Sequence, residues 1–145
     1  MKNKPLKIIG WRERASLPDL GITNIVFKSD TGAKTSSLHA FDIELYKKGS
    51  QQWVRFNTNL KAPNDLSAIK CDAKVVDFRE ITTSSGHTQV RPVIKTCMIL
   101  GDIKLKIELT LSDRSQLRYK MLLGRRAMRN RLIVNPSKFH IINQN

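Results

Sequence analysis

Phe27-Lys28-Ser29-Asp30-Thr31-Gly32-Ala33 sets an Asp-Thr-Gly-Ala tetrapeptide directly after the apolar stretch Ile22 to Phe27. Whether this is a strand ending in a carboxylate-bearing turn decides the fold. Gly32 lets the backbone turn sharply and approach a second segment closely, and the Thr31 hydroxyl can hydrogen-bond and stiffen the loop. Asp-x-Gly is also ordinary turn chemistry after a strand, so the tetrapeptide alone leaves a chemical role and a conformational role both open. A second signal lies near the C-terminus, in Met121-Leu122-Leu123-Gly124-Arg125. An Arg at that point is a rigid planar fork, suited to carboxylates or backbone carbonyls near the Asp30 loop in a way that Lys is not. Because Arg126 and Arg129 follow, the same residues also read as a solvated, basic helix start.

The segments between these motifs are alternating or β-branched and are separated by turn residues. Strands are expected near Lys7 to Gly10, Thr23 to Ser29, Ser37 to Tyr46, Gln52 to Asn57, Ala68 to Thr82, Thr88 to Leu100, Ile103 to Leu111 and Tyr119 to Leu123. Short strands at Leu132 to Val134 and Phe139 to Ile142 finish the chain, and one helical turn is expected at Arg125 to Arg129. Ile103 to Leu111 alternates apolar and polar residues throughout, as in a strand with one wet face. Turns are expected at Lys47 to Ser50, Ala62 to Asp65, Ser84 to His87 and Gly101-Asp102. The pattern is all-β, without internal repeat, low-complexity tract or linker.

The chain has 145 residues, which suits one domain over 1–145 able to bury a core without disulfide or metal. Cys71 and Cys97 are too few and too far apart for a disulfide framework and are read as reduced thiols. No segment reaches the roughly 20 apolar residues of a membrane span, and no signal peptide is evident, so a cytoplasmic protein with no membrane partner is expected. Twenty-six Lys and Arg against 12 Asp and Glu give a net charge of +14, which favours anionic partners. The basic residues are dispersed, with one denser run from Arg114 to Arg131. For scattered lysines a solvated face is the simplest reading.

Four strings are ordered along the chain: Ile9-Gly10-Trp11-Arg12-Glu13, Leu17-Pro18-Asp19-Leu20-Gly21-Ile22, Asp30 to Ala40, and Met121 to Met128. Together they resemble the bacterial retropepsin-like aspartic protease family often labelled an ATP-dependent zinc protease, several members of which are linked to RimK-type glutamate ligases. The resemblance implies a closed retropepsin-like β-barrel with one short C-terminal helix. It also implies an aspartic-type endopeptidase in which Asp30, Thr31, Gly32 and Ala33 form the catalytic loop, supported by Gly124 and Arg125. Retroviral enzymes usually carry an acidic residue where this chain has Arg126, so the ion pairs around that position are expected to differ.

Aspartic proteases use two carboxylates that share one proton, and this chain supplies one Asp-Thr-Gly. A homodimer pairing two copies of Asp30 is therefore expected, with Asp42, Asp77, Asp102 and Asp113 as the alternatives by residue type within one chain. A hairpin must close over the substrate, and Ser85, Gly86 and His87 are its expected tip, with the Lys47 to Ser50 turn as the rival. The expected substrate is a peptide or protein, and the family's link to an ATP-grasp glutamate ligase suggests an acidic, glutamate-rich one. Arg79, Arg91, Arg125 and Arg126 are then the cations placed nearest the cleft. No cofactor is expected: His39, His87 and His140 lack zinc-ligand spacing, no phosphate-binding loop is present, and His39 reads as a hydrogen-bonded structural residue. The competing class is a non-enzymatic basic barrel that binds RNA or another polyanion; a retropepsin that keeps its fold without activity is a third reading.

Overall fold

The structure, a computed structural model, describes residues 5–60, 67–83 and 85–142. Eleven strands run in the order β1 (Lys7–Gly10), β2 (Arg12–Leu17), β3 (Ile22–Ser29), β4 (Ser36–His39), β5 (Phe41–Lys48), β6 (Gln51–Thr58), β7 (Ile69–Thr82), β8 (Thr88–Leu100), β9 (Ile103–Ser112), β10 (Met121–Leu123) and β11 (Leu132–Asn135). A 3-10 turn, Pro18–Leu20, links β2 to β3, and an α-helix, α1, the only one among the described residues, spans Arg125–Met128. Strands β2-β3-β10-β4-β9-β8 form a ring that a pairing of β2 with β8 closes, giving a six-stranded barrel. From β8 the sheet continues outward through β7, β6 and β5, while β1 and β11 pair in parallel as a separate two-stranded unit.

Inward positions along the ring are apolar and fully buried, among them Phe27, Leu38, Ile94, Met98, Leu109 and Met121. Each such side chain stabilises the barrel by about 1.5–3 kcal/mol relative to exposure. On β9 the alternation from Ile103 holds only as far as Ile107, because β9 then runs between β4 and β8 and buries both faces from Leu109 to Ser112. Thr110 is dry there because its hydroxyl meets Ser37 Oγ at 2.9 Å and donates to the Ser36 carbonyl at 3.2 Å.

Three expectations from sequence need correction. The single strand expected at Ser37 to Tyr46 is two, β4 and β5, since the chain leaves the barrel at Ala40 and bends through Asp42, whose φ is 52°. Phe139 to Ile142 forms no strand, because its amides are capped by β2 and its left-handed bend at His140 (φ 49°) prevents an extended path. Conversely, Arg12–Leu17 is a strand absent from the expected set: Glu13, Ala15 and Leu17 point inward in alternation, and a charged residue in an inward slot disguised it. The turn expected at Ala62 to Asp65 and residue Ser84 lie outside the described residues.

Glu13 is fully buried, and its carboxylate accepts the amides of Gly10 at 2.7 Å, Ile141 at 3.1 Å and Ile142 at 3.2 Å. Trp11 N–H donates to the Lys138 carbonyl at 2.8 Å and His140 N–H to the Arg12 carbonyl at 2.9 Å. The C-terminal segment crosses so near Gly10 that a Cβ there would lie 2.5 Å from the Lys138 carbonyl oxygen. A buried charge is tolerated only when hydrogen bonds replace its water, and here three backbone donors do so. Glu13→Ala, which strands those donors, should cost about 3–5 kcal/mol in denaturant unfolding. Glu13→Gln, which keeps an acceptor oxygen, should cost visibly less; an Ala variant as stable as the parent would refute this role.

Candidate active site

β3 delivers Asp30 by pairing in parallel with β10, Phe27 opposite Met121 and Ser29 opposite Leu123. The other edge of β10 pairs antiparallel with β4, placing Leu122 opposite Ser37, so the segments on either side of the Asp30 loop both rest on β10. Hydrogen bonds then stitch the loop to the Gly-Arg motif. Asp30 N–H donates to the Leu123 carbonyl (2.9 Å), Arg125 N–H to the Ala33 carbonyl (2.8 Å) and Arg126 N–H to the Lys34 carbonyl (3.2 Å). The Arg125 guanidinium donates to the Gly32 carbonyl at 3.1 Å, which is the fork-to-carbonyl contact that the sequence favoured. Gly124 donates its N–H to Ser36 Oγ at 3.0 Å, and a Cβ on it would lie 2.6 Å from the Thr35 carbonyl, so only glycine fits without backbone movement.

Within the loop, Asp30 Oδ1 accepts the Gly32 amide at 2.9 Å, and Ala33 N–H returns to the Asp30 carbonyl at 3.2 Å. Asp30 thus caps its own turn, and its partly exposed carboxyl is held in one orientation by that bond. Thr31 and Gly32 are exposed at the loop tip. Of the four other aspartates raised as partners, Asp77 binds Arg79 at 3.0 Å and Asp113 accepts the Ser115 amide at 2.8 Å. Asp42 faces Asn57 at 3.4 Å, and Asp102 sits in the β8–β9 turn.

Arg125 apart, the arginines expected beside the cleft divide into two groups. Arg79 is engaged by Glu108 at 2.7 Å and by Asp77, Arg126 lies 3.9 Å from the same Glu108, and both line a cavity of about 290 Å³ with Thr35 and Ser36. Arg91 lines a different cavity, of about 690 Å³, whose other walls include Ile43, Leu45, Phe78, Val90 and Asp113. Next to Asp113 is Arg114, a residue that sequence reasoning passed over inside its basic run. Its guanidinium is partly buried and donates to the Tyr119 carbonyl at 3.1 Å. Burial lowers its pKa, the nearby Arg91 cation lowers it further, and the Asp30 carboxylate opposes both. Burial likewise lowers the Arg91 pKa. No local sequence signal marks Arg114, since its contact with His39 arises only when the 113–119 loop folds back beside β4.

At the expected flap tip, Thr83 N–H donates to the His87 carbonyl (2.8 Å) and Gly86 N–H to the Thr83 carbonyl (2.9 Å). Gly86 has φ 87°, a left-handed turn that glycine adopts without strain. Ser85, Gly86 and His87 are exposed at the end of two long strands of 14 and 13 residues. His39, in contrast, is buried with Nδ1 accepting the Arg114 amide at 2.9 Å, a hydrogen-bonded structural position. Among the described residues no three His, Cys, Asp or Glu side chains assemble, and burial pushes the Cys71 thiol up to about 11. Cys71 and Cys97 are unbridged. Among the described residues no helix is long and apolar enough to cross a membrane.

Comparison with known proteins fits this geometry. Residues 8–145 match the family model described as RimB-like, retropepsin-like aspartic endopeptidase RimB. A protein named probable alpha-L-glutamate ligase from Desulfotalea psychrophila is 42% identical over 131 residues, covering 90% of this chain and 28% of that protein. One of the same name from Shewanella pealeana is 40% identical, covering 90% of this chain and 29% of its own length. The chain therefore spans less than a third of these curated relatives. A crystal structure of the Legionella pneumophila protein Lpg0085, of unknown function, superimposes with a TM-score of 0.79 at 29% identity, covering 94% of this chain and 98% of that one. A barrel of this topology, an Asp-Thr-Gly loop sewn to a Gly-Arg turn, and a match over nearly the whole chain lead to one statement of kinship: the chain belongs to the RimB-like family of retropepsin-like proteins.

Proposed function

We propose that this chain is an aspartic-type peptidase that hydrolyses peptide bonds with a water activated between the Asp30 carboxylates of a homodimer. The observation that carries the reading is the Asp30 loop itself, oriented by the Gly32 amide and fixed to Gly124-Arg125 by backbone hydrogen bonds. Two carboxylates a few ångströms apart cannot both ionise, so one stays protonated and polarises the scissile carbonyl. The ionised one takes a proton from water, the resulting hydroxide adds to the carbonyl carbon, and collapse expels the amine, which leaves protonated. One chain brings one such loop, and a two-fold axis brings the second. The exposed tip at Thr31 and Gly32 suits that approach, and the β7–β8 hairpin supplies the segment that would close over bound peptide.

The substrate is an acidic, glutamate-rich peptide. Arg91 and Arg114 have amide or backbone partners rather than carboxylate ones, the Asp30 carboxylate acts on Arg114, and the whole chain carries +14. The relatives named probable alpha-L-glutamate ligase add a functional argument: an enzyme that ligates glutamate makes glutamate-rich chains, and a peptidase linked to it would trim them. A functional partnership with an ATP-grasp glutamate ligase follows from the same reading.

Cleavage of a glutamate-rich peptide panel from acid to neutral pH, with dimer state recorded, is the direct test. Asp30→Asn should fold and dimerise yet lose at least about 10²–10⁴-fold in kcat. Absence of cleavage by both proteins, with polyanion binding intact, would replace this reading with that of a binding module. Arg114→Ala should lower kcat/KM for acidic peptides by about 10- to 100-fold at low ionic strength, as expected for loss of a charged hydrogen bond, and less in high salt. An unchanged value at low salt would remove Arg114 from the substrate site.

A further inference from the structure

The 113–119 loop hangs on one buried imidazole. His39 closes β4, its own N–H donates to the Lys120 carbonyl at 2.7 Å, and the next amide, Ala40, donates to the Ser112 carbonyl at 2.9 Å. Its ring packs on Phe41 with centroids 5.6 Å apart and is 1% exposed. Nδ1 accepts the Arg114 amide at 2.9 Å, which requires a neutral ring with its proton on Nε2. The same Nδ1 lies 3.8 Å from Asp113 Oδ1, too far for a hydrogen bond but close enough for an ion pair.

Two arrangements are therefore available to one nitrogen. Unprotonated, Nδ1 holds the backbone of Arg114. Protonated, it can no longer accept an amide and instead finds a carboxylate beside it. Asp113 is meanwhile bound to the Ser115 amide at 2.8 Å, so recruiting it would rearrange the 113–115 turn. The Arg114 side chain is carried on that turn.

We infer that His39 is the positioning residue for Arg114, and that its protonation exchanges the Arg114 amide for the Asp113 carboxylate and shifts the turn that carries the Arg114 side chain. The functional part rests on the reading of Arg114 as a substrate cation given above; the conformational part does not. The charged groups facing the ring are Lys120, with its ammonium donating to the Ser115 carbonyl at 3.3 Å, Arg114 and Asp113. Burial, then Lys120, hold the His39 pKa below its ordinary value of 6.5, Asp113 opposes them, and Arg114 adds to the lowering. The exchange thus belongs below pH 6.5. The sign for stability is the same: an unfolded chain takes up this proton first, so the stability His39 contributes above its unfolded pKa is lost as pH falls from there through its folded value. A peptidase built this way grips acidic substrates at neutral pH and releases them in acid.

An NMR titration of the isotopically labelled chain tests this without relying on catalysis. The His39 ring and the Arg114 amide should follow one midpoint below 6.5. In His39→Asn, whose side-chain oxygen can occupy the Nδ1 position, the Arg114 amide should stop titrating. Should that variant not fold, Asp113→Asn, whose side-chain oxygen can still accept the Ser115 amide, removes the charge beside His39 and should move the shared midpoint to lower pH. With acidic peptide, KM should rise in the parent as His39 protonates and stay level in His39→Asn over the same window. An Arg114 amide that stays still while His39 titrates, or that shifts identically in His39→Asn, overturns the proposal. A shared midpoint in a chain that cleaves nothing would retain the positioning role and reject only the peptidase.

Discussion

The closeness of the backbone at Gly124 to Thr35 is the constraint on which the rest of the site depends. A single added methyl group would sit at 2.6 Å from a carbonyl, so the β10–α1 junction can lie under the Asp30 loop only as glycine. With that approach made, Leu123, Arg125 and Arg126 reach the loop's own backbone groups, and a turn that would otherwise fray is tied at both ends. β10 pairs in parallel with β3 through Met121, Leu122 and Leu123 and antiparallel with β4 through Met121 and Leu122, so two of its three residues serve both neighbours. The barrel is in this sense arranged around the loop.

The arginines illustrate how differently one residue type can be employed. Arg79 and Arg126 share Glu108, and Arg79 has Asp77 as well, so their charges are balanced where they stand. Arg91 and Arg114 instead bond a neutral amide and a backbone carbonyl, are partly desolvated, and push on one another. Bringing two cations together at reduced hydration opposes folding unless an anion joins them. The difference separates cations held by carboxylates from cations whose hydrogen bonds go to neutral groups.

Much of this was legible in the chain, and the reasons it was legible are local. The Asp30 turn, the Gly-Arg junction, the β8 boundaries and the short helix all follow from residue types whose conformational preferences act within a few positions. What stayed hidden was non-local. β2 was missed because a carboxylate occupies an inward slot whose justification, amides at residues 10, 141 and 142, comes from both ends of the chain. The end segment was misread as a strand for the mirror-image reason, since those amides go to Glu13 and not to a neighbouring strand. Arg79 and Arg91 stand opposite each other on β7 and β8 and look equivalent in sequence, yet one meets Glu108 and the other does not. Arg114 could be recognised only after His39 had been placed beneath it.

The ring of the barrel is closed between β2 and β8 by the register pair Ser16 and Ile99, at the point where β2 is displaced by its irregularity after Ala15. Counting around the six strands, this seam lies across the barrel from β10 and β4, where β10 carries on its two edges the segments that flank the Asp30 loop. Pro18–Leu20 lies over it, with Asp19 against the Cys97 amide at 3.5 Å and the Leu20 carbonyl against Cys71 Sγ at 3.5 Å. The joint is therefore held more by the side chains and backbone groups of the 3-10 turn packed over it than by a ladder of strand hydrogen bonds.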